Sequence, residues 1–190
     1  MISSSENKLL RVNRNFSSLF AYNQRLTYFK DLSFTNCLKH VANKNGLELD
    51  DRFLRSLVRN EVGDISTSNM PIKNYLDALR YIEKAHVNNI DEDYLASLYA
   101  ILLGTTNLTS FYRTSEDNSR NNTVVIGRMY TCAPSHLIEG MMESLFLFLK
   151  QSTLPSGVKA GIAYYYINYV RPFDKYSDEL AILIAKSVLG

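Results

Sequence analysis

The sequence predicts a mostly α-helical protein, on three observations. Proline is confined to Pro71, Pro134, Pro155 and Pro172, and glycine to eight positions in 190 residues, so few breakers interrupt the chain. Apolar residues recur mostly at three- and four-residue spacing, the period of one helix face. Only one short β-branched run, Thr123-Val124-Val125-Ile126 after the polar stretch 115–122, reads as a strand.

In chain order the spacing predicts helices over 17–28, 34–43, 50–59, 72–85, 91–103, 135–150, 156–170 and 177–188. Ser and Asn enrichment over residues 3–18 points to a mobile start. Gly46 falls where a helix C-terminus needs a residue free to turn, Pro71 precedes the fourth helix, and Asp91 has the form of an N-cap followed by first-turn acids. Pro155-Ser156-Gly157 reads as a loop before the seventh helix.

The length suits one domain, or one domain (46–190) with an N-terminal helical extension (1–45), and 46% hydrophobic residues supply a sizeable core. A net charge of +2, with basic and acidic residues mixed along the chain, offers no large field for nucleic acid or anionic lipid. Only two cysteines occur, Cys37 and Cys132, with no CxxC spacing, so neither a disulfide framework nor a zinc site is expected. The N-terminus lacks the basic-then-apolar order of a signal peptide, and the longest apolar runs fall far short of the roughly 20 residues that span a bilayer. A soluble, cytoplasmic protein is expected, and the Asn-x-Ser/Thr triplets at Asn15, Asn107 and Asn121 are read as chance.

Near the C-terminus an apolar, Tyr-rich helical run ends in Tyr169-Val170-Arg171-Pro172-Phe173-Asp174-Lys175-Tyr176-Ser177-Asp178-Glu179, and a second apolar helix comes next. This layout resembles the Fic (Fido) family of AMP-transferring proteins, whose motif reads His-Pro-Phe-x-Asp/Glu-Gly-Asn-Gly-Arg-x-x-Arg. Pro172 and Phe173 match; Arg171 stands at the His, Lys175 at the acid, Tyr176 to Glu179 at Gly-Asn-Gly-Arg, and Ile182 at the last Arg. Upstream, Tyr94 to Gly104, Phe111-Tyr112-Arg113, Thr123 to Gly127, Tyr130 to Pro134 and Met141 to Leu149 resemble the family's helix, Tyr-Arg turn, flap strand, Pro-bearing segment and next helix. Asn74 to Leu79 resembles the segment after the family's N-terminal inhibitory helix. The resemblance covers roughly 50–190 and implies a Fic-like helical bundle with a small β-hairpin flap. Many family members continue past the motif helix, so it also implies a truncated or minimal version of the domain.

What the resemblance implies for chemistry is loss. The family's His takes a proton from a target hydroxyl that attacks the α-phosphate of ATP; a guanidinium at Arg171 stays protonated and cannot. Lys175 reverses the charge that would hold Mg²⁺. At the phosphate nest Ser177 reads as an N-cap, and Asp178 and Glu179 as first-turn acids that satisfy the helix from within. Two carboxylates facing a triphosphate cost several kcal/mol, since unit charges about 4 Å apart interact by about 4 kcal/mol at an effective dielectric of 20. A plainer reading makes Lys175 and Glu179 an i,i+4 surface pair and Arg171 a helix C-terminal cation. Among the histidines, His40 and His86 read as structural, leaving His136 as a remote substitute base.

Glu61, in Arg55 to Gly63, matches the family's inhibitory Glu, but Leu57 and Val62 replace its polar neighbours and Ile182 replaces the Arg it would clamp. The segment resembling the inhibitory helix spans about 50–62 and the altered motif 171–182. Thr123, Val124, Val125 and Ile126, as a flap edge, suit strand addition by another protein. The stripe Tyr164, Tyr165, Tyr166 and Tyr169, with Phe146 and Phe148, reads as core or as a pocket lining.

The expected function is therefore a Fic-like protein that has lost AMP transfer and acts by binding or regulation, with another protein as partner, no nucleic acid or membrane, and no cofactor or metal. The alternative is an active transferase that uses a rearranged site, with ATP and Mg²⁺ or another phosphate-bearing donor and with Arg171 and Lys175 as phosphate clamps. An unrelated helical interaction module is the third reading.

Overall fold

The computed structural model describes residues 4–85, 89–106, 108, 111–114, 123–125, 128–130 and 132–190, giving only the backbone course for 4–22 and for the two strands. His86, Asn107, Asn121 and Ile126 lie outside the described residues. The chain divides into two units, Met1–Ile65 and Ser66–Gly190, where a boundary at 45/46 is expected from the sequence.

In the first unit a single helix, α1 (Ser4–Lys44), replaces the two helices expected over 17–28 and 34–43. Residues 29–33 hold no Gly or Pro. The Thr27 and Thr35 hydroxyls bond the carbonyls of Asn23 (3.0 Å) and Asp31 (2.7 Å), one turn back along the same helix, instead of capping a new one. Gly46, at φ +69°, ends α1 while the Leu47 N–H returns to the Ala42 carbonyl at 2.9 Å. Helix α2 (Asp51–Val58) then buries Leu54 and Leu57 in a core shared with Phe34, Leu38 and Val41 of α1. Lys39 pairs with Asp51 at 2.7 Å and Arg59 with Asp31 at 3.1 Å. This shared core is why α2 groups with α1 and not with the later helices.

The second unit runs through a 3₁₀ turn (Thr67–Asn69), α3 (Met70–Ala85), α4 (Glu92–Leu103), β1 (Thr123–Val125), β2 (Arg128–Tyr130), a second 3₁₀ turn (Ser135–Leu137), α5 (Ile138–Gln151), α6 (Ser156–Val170) and α7 (Ser177–Leu189). Asp91 is the N-cap of α4, accepting the Tyr94 N–H at 3.0 Å, as its position predicts. Gly104 closes α4 at φ +67°, and a Cβ there would sit 2.9 Å from the Asn74 amide nitrogen, which donates to the Leu102 carbonyl at 3.1 Å. Only glycine combines that conformation with so close a neighbour. β1 and β2 pair antiparallel, Thr123 opposite Tyr130, Val124 opposite Met129 and Val125 opposite Arg128.

Helix α7 packs along α6, and both meet a core in which Leu76, Leu79, Leu95, Leu98, Met142, Ile167, Leu180 and Leu183 are fully or almost fully buried. The Tyr94 hydroxyl reaches Ser187 at 2.7 Å and ties α4 to α7. Among the described residues no helix is long and apolar enough to cross a membrane.

Candidate functional site

The residues singled out by the sequence converge on the six-residue loop between α6 and α7. Its entrance is Arg171, which caps α6 in the left-handed region (φ 48°) while its N–H holds the Ile167 carbonyl at 2.8 Å. Pro172 and Phe173 then turn inward and are buried. Phe173 inserts into an aromatic cage: Tyr99 stacks on it at 4.3 Å, Phe111 meets it edge-on at 5.4 Å, and Tyr112 lies tilted at 5.8 Å. Such ring pairs add to simple area burial and fix the loop's depth.

Arg113 fastens the loop from behind. It is 3% exposed, and its guanidinium donates to the carbonyls of Arg171 (2.7 Å), Ala133 and Val170 (3.4 Å). Its backbone N–H donates to the Pro172 carbonyl at 2.9 Å. One buried cation thus satisfies orphan carbonyls at the C-terminus of α6, where the helix dipole favours positive charge, and joins them to the segment that precedes α5. The Phe111-Tyr112-Arg113 run is visible in the sequence, but its task is not, because the backbone carbonyls to which Arg113 donates leave no mark in the residue pattern.

At the far end of the loop Ser177 departs from expectation. The N-cap position belongs to Tyr176, again left-handed (φ 62°), and Ser177 is the first helical residue, 2% exposed. Its hydroxyl accepts the Phe173 N–H at 3.3 Å and donates to the Phe173 carbonyl at 3.1 Å, so it closes the loop on itself instead of capping α7. Arg171 reaches across the loop to Asp178, Nη1 to Oδ1 2.8 Å, while its Nε is buried with no hydrogen-bond partner. The ion pair joins the negative end of α6 to the positive end of α7, each charge sitting on the pole that favours it. Glu179 is buried at 6% exposure, which removes it from any surface pair with Lys175; Asp174 and Lys175 are exposed, and Ile182 is half-buried in α7.

The tyrosines around the loop are held neutral. Burial, then the nearby charges of Asp174 and Tyr176, raises the Tyr99 pKa, partly opposed by the Lys175 N–H at its hydroxyl. Burial and the adjacent Glu179 raise Tyr176. Tyr112 is pushed up furthest, by burial first and then by Glu92, to which its hydroxyl is bonded, and by Glu139 and Glu143.

The remaining candidates lie elsewhere. His136 is exposed in the second 3₁₀ turn, and among the described residues no hydrogen bond or ion pair joins it to the loop. His40 is an exposed position of α1, not a buried structural one. Glu61 comes after the end of α2 in the first unit, beyond Asn60 at φ 59°, and is exposed; Ile182 belongs to the second unit. Tyr164 (47% exposed), Tyr165 (69%) and Tyr169 (40%) are on the surface of α6, not in the core, while Tyr166, Phe146 and Phe148 are half-buried.

This arrangement of helices recurs in known structures. A Fic domain-containing signaling protein from Bacteroides thetaiotaomicron superposes with a TM-score of 0.67 at 19% identity over 86% of this chain and 65% of its own. A Fic family protein from Desulfovibrio desulfuricans gives 0.65 at 14% identity, over 100% of this chain and 58% of its own. The chain has the Fic fold. Fic-1 from C. elegans matches it as well, with a TM-score of 0.57 at 15% identity over 99% of this chain and 63% of that one. The chain therefore spans somewhat less than two thirds of the length of these Fic proteins. No family model matches it, and no curated protein matches it in sequence. The Fic likeness is one of backbone, and the loop of Arg171 to Glu179 has to be read from its own residues.

Proposed function

We propose that this Fic-fold chain does not transfer AMP and instead binds or regulates another protein. The observation that carries this reading is the Arg171–Asp178 pair. Where the family resemblance calls for a proton-accepting His and an open phosphate nest, a permanent cation is locked to the first-turn carboxylate of α7. Ser177 is bonded to the Phe173 backbone, Glu179 is buried, and Lys175 stands where Mg²⁺ would need an acid. These residues do not fit ATP and Mg²⁺ held in the family manner, because the anion site is already filled by the helix's own acids.

The alternative, a transferase for another phosphate-bearing donor clamped by Arg171 and Lys175, has the unpartnered Arg171 Nε and the exposed Lys175 in its favour. It requires the Asp178 pair to open first. Binding without catalysis needs only a docking surface, and the 123–126 flap edge, whose backbone course is strand over Thr123–Val125, suits strand addition by a protein partner. Glu61 has no regulatory task under this reading.

The decisive assay incubates the purified chain with labelled ATP, Mg²⁺ and lysate proteins. No label is expected on the chain or on any target. Label transfer that Arg171→Ala abolishes would overturn the proposal. Calorimetry with nucleotides and phosphorylated metabolites tests the alternative, and heat of binding lost in Arg171→Ala would support it instead.

A further inference from the structure

A strip on the first unit carries polar groups that the fold leaves unused. Asn23, Gln24, Thr27, Tyr28 and Asp31 recur at the spacing of one α1 face, and with Arg59, just past the end of α2, they line a cleft of about 310 Å³. Arg59 gives only its Nε to the fold, donating to Asp31 Oδ2 at 3.1 Å; its Nη1 and Nη2 make no hydrogen bond among the described residues. The side-chain amides of Asn23 and Gln24 and the Tyr28 hydroxyl make none there either, whereas the Thr27 hydroxyl is taken by the Asn23 carbonyl. An adjoining cleft of about 500 Å³ shares Gln24 and Tyr28 and adds Arg25 and Phe29. Its two rings meet edge-on at 5.8 Å, and Arg25 has no bonded partner among the described residues. One cleft thus holds Arg59 and the other Arg25, with an exposed ring common to both, and their single carboxylate, Asp31, is already held by Arg59.

We propose, resting on the reading that this chain binds another protein, that the strip takes an acidic peptide segment of that partner. One carboxylate sits on Arg59, a second on Arg25, and an apolar side chain between them lies on the Tyr28 and Phe29 rings. The free edge of Arg59 offers two N–H donors side by side, the fork that a carboxylate accepts bidentately. Two cations against one acid leave the lining groups with one net positive charge, which selects an anionic partner over a neutral or basic one. The Asn23 and Gln24 amides each donate and accept, so they suit the N–H and C=O groups of a peptide backbone. Each cleft is at the small to middle part of the roughly 300–1,000 Å³ that holds a single small molecule. Two of them adjoining at Tyr28 fit successive side chains of an extended peptide better than one compact ligand.

Fluorescence anisotropy of a fluorescein-labelled Glu-Leu-Glu-Phe-Glu peptide, titrated with the full chain and no nucleotide, tests this. A saturable rise in the micromolar range is expected. Replacing each Glu of the peptide by Gln should weaken binding at least about tenfold, and added salt should weaken it too. Arg59→Gln and Arg25→Gln should each weaken it by about threefold or more, whereas Asp31→Asn should tighten it by a similar factor, because the competing carboxylate is gone. That opposite movement separates a binding site from a damaged fold. Lys150→Gln, which removes the same charge from an exposed position of α5, should change nothing. No saturable rise up to about 500 µM, or binding indifferent to both arginines, would overturn the proposal. Displacement by equimolar glutarate would overturn it in favour of a small dicarboxylate, and equal binding of a labelled oligonucleotide would reduce it to charge attraction. AMP transfer to a lysate protein would overturn the binding-protein reading while the titration still reports on the strip; a failed titration overturns the strip alone.

Discussion

The loop after α6 and the outer face of the same helix treat their side chains in opposite ways. At the loop, polar groups bind to one another or to backbone: Arg113 holds backbone carbonyls, Arg171 holds Asp178, and Ser177 holds Phe173, while Asp174 and Lys175 stay exposed. On the face, apolar and aromatic side chains that could have filled a core are turned outward and lack any charge. A region whose polar groups satisfy one another has little capacity left for a ligand, whereas an uncovered apolar face gains free energy from any partner that fits it. Under the proposed function, recognition belongs to the surfaces of this Fic-fold chain and the loop has a structural task.

If that division is right, damage to the loop is read in stability. Arg113→Ala leaves the Val170, Arg171 and Ala133 carbonyls without their buried donor and should cost about 3–5 kcal/mol, measured as a fall in the urea midpoint. Lysine should rescue little, because one ammonium cannot reproduce the planar fork. A loss below about 1 kcal/mol would mean that the loop is not held as described. Phe173→Leu comes next, at about 2 kcal/mol, from lost ring contacts with Tyr99 and Phe111 and from the void they leave. Because Phe173 is 2% exposed, an unchanged melting temperature would contradict the cage.

Local signals made the helices of the second unit legible. Asp91, Pro155 and Gly104 act on the backbone within a turn of where they stand, so α4 and α6 begin and end close to where spelling alone places them. What failed depends on competing bonds and packing that the local spelling does not decide. The join within α1 is invisible to propensity because two threonine hydroxyls choose the preceding turn over a cap. Ser177 has the spelling of an N-cap, but a buried loop carbonyl competes for its hydroxyl. The α6 tyrosines read as core because nothing in their own spacing says that Tyr164, Tyr165 and Tyr169 face outward. Arg171 and Asp178 are recognisable as opposite charges on opposing helix poles, yet their pairing needs the left-handed turns at Arg171 and Tyr176 that bring the two ends together.

The smallest predicted effect tests the cage through pH. Tyr112 contacts Phe173, and its hydroxyl is bonded to Glu92 with Glu139 and Glu143 nearby, so burial and negative charge raise its pKa above the usual tyrosine value. The unfolded chain gives up this proton near pH 10 while the folded chain keeps it, so the folded state binds the extra proton and loses stability as pH climbs beyond that point. Its contribution is fully present below about pH 10 and declines by about 1.4 kcal/mol per pH unit above it, until the folded-state pKa is reached. Tyr94, Tyr99, Tyr166 and Tyr176 are raised as well and contribute to the total decline, so the informative quantity is the difference between the parent and Tyr112→Phe. At pH 8 the variant should be less stable by about 1 kcal/mol for want of the hydrogen bond to Glu92. Between about pH 10 and 11 that gap should close and reverse, because phenylalanine has no proton to lose. Parallel stability curves would place the Tyr112 hydroxyl in water, and the third wall of the Phe173 cage would then be open.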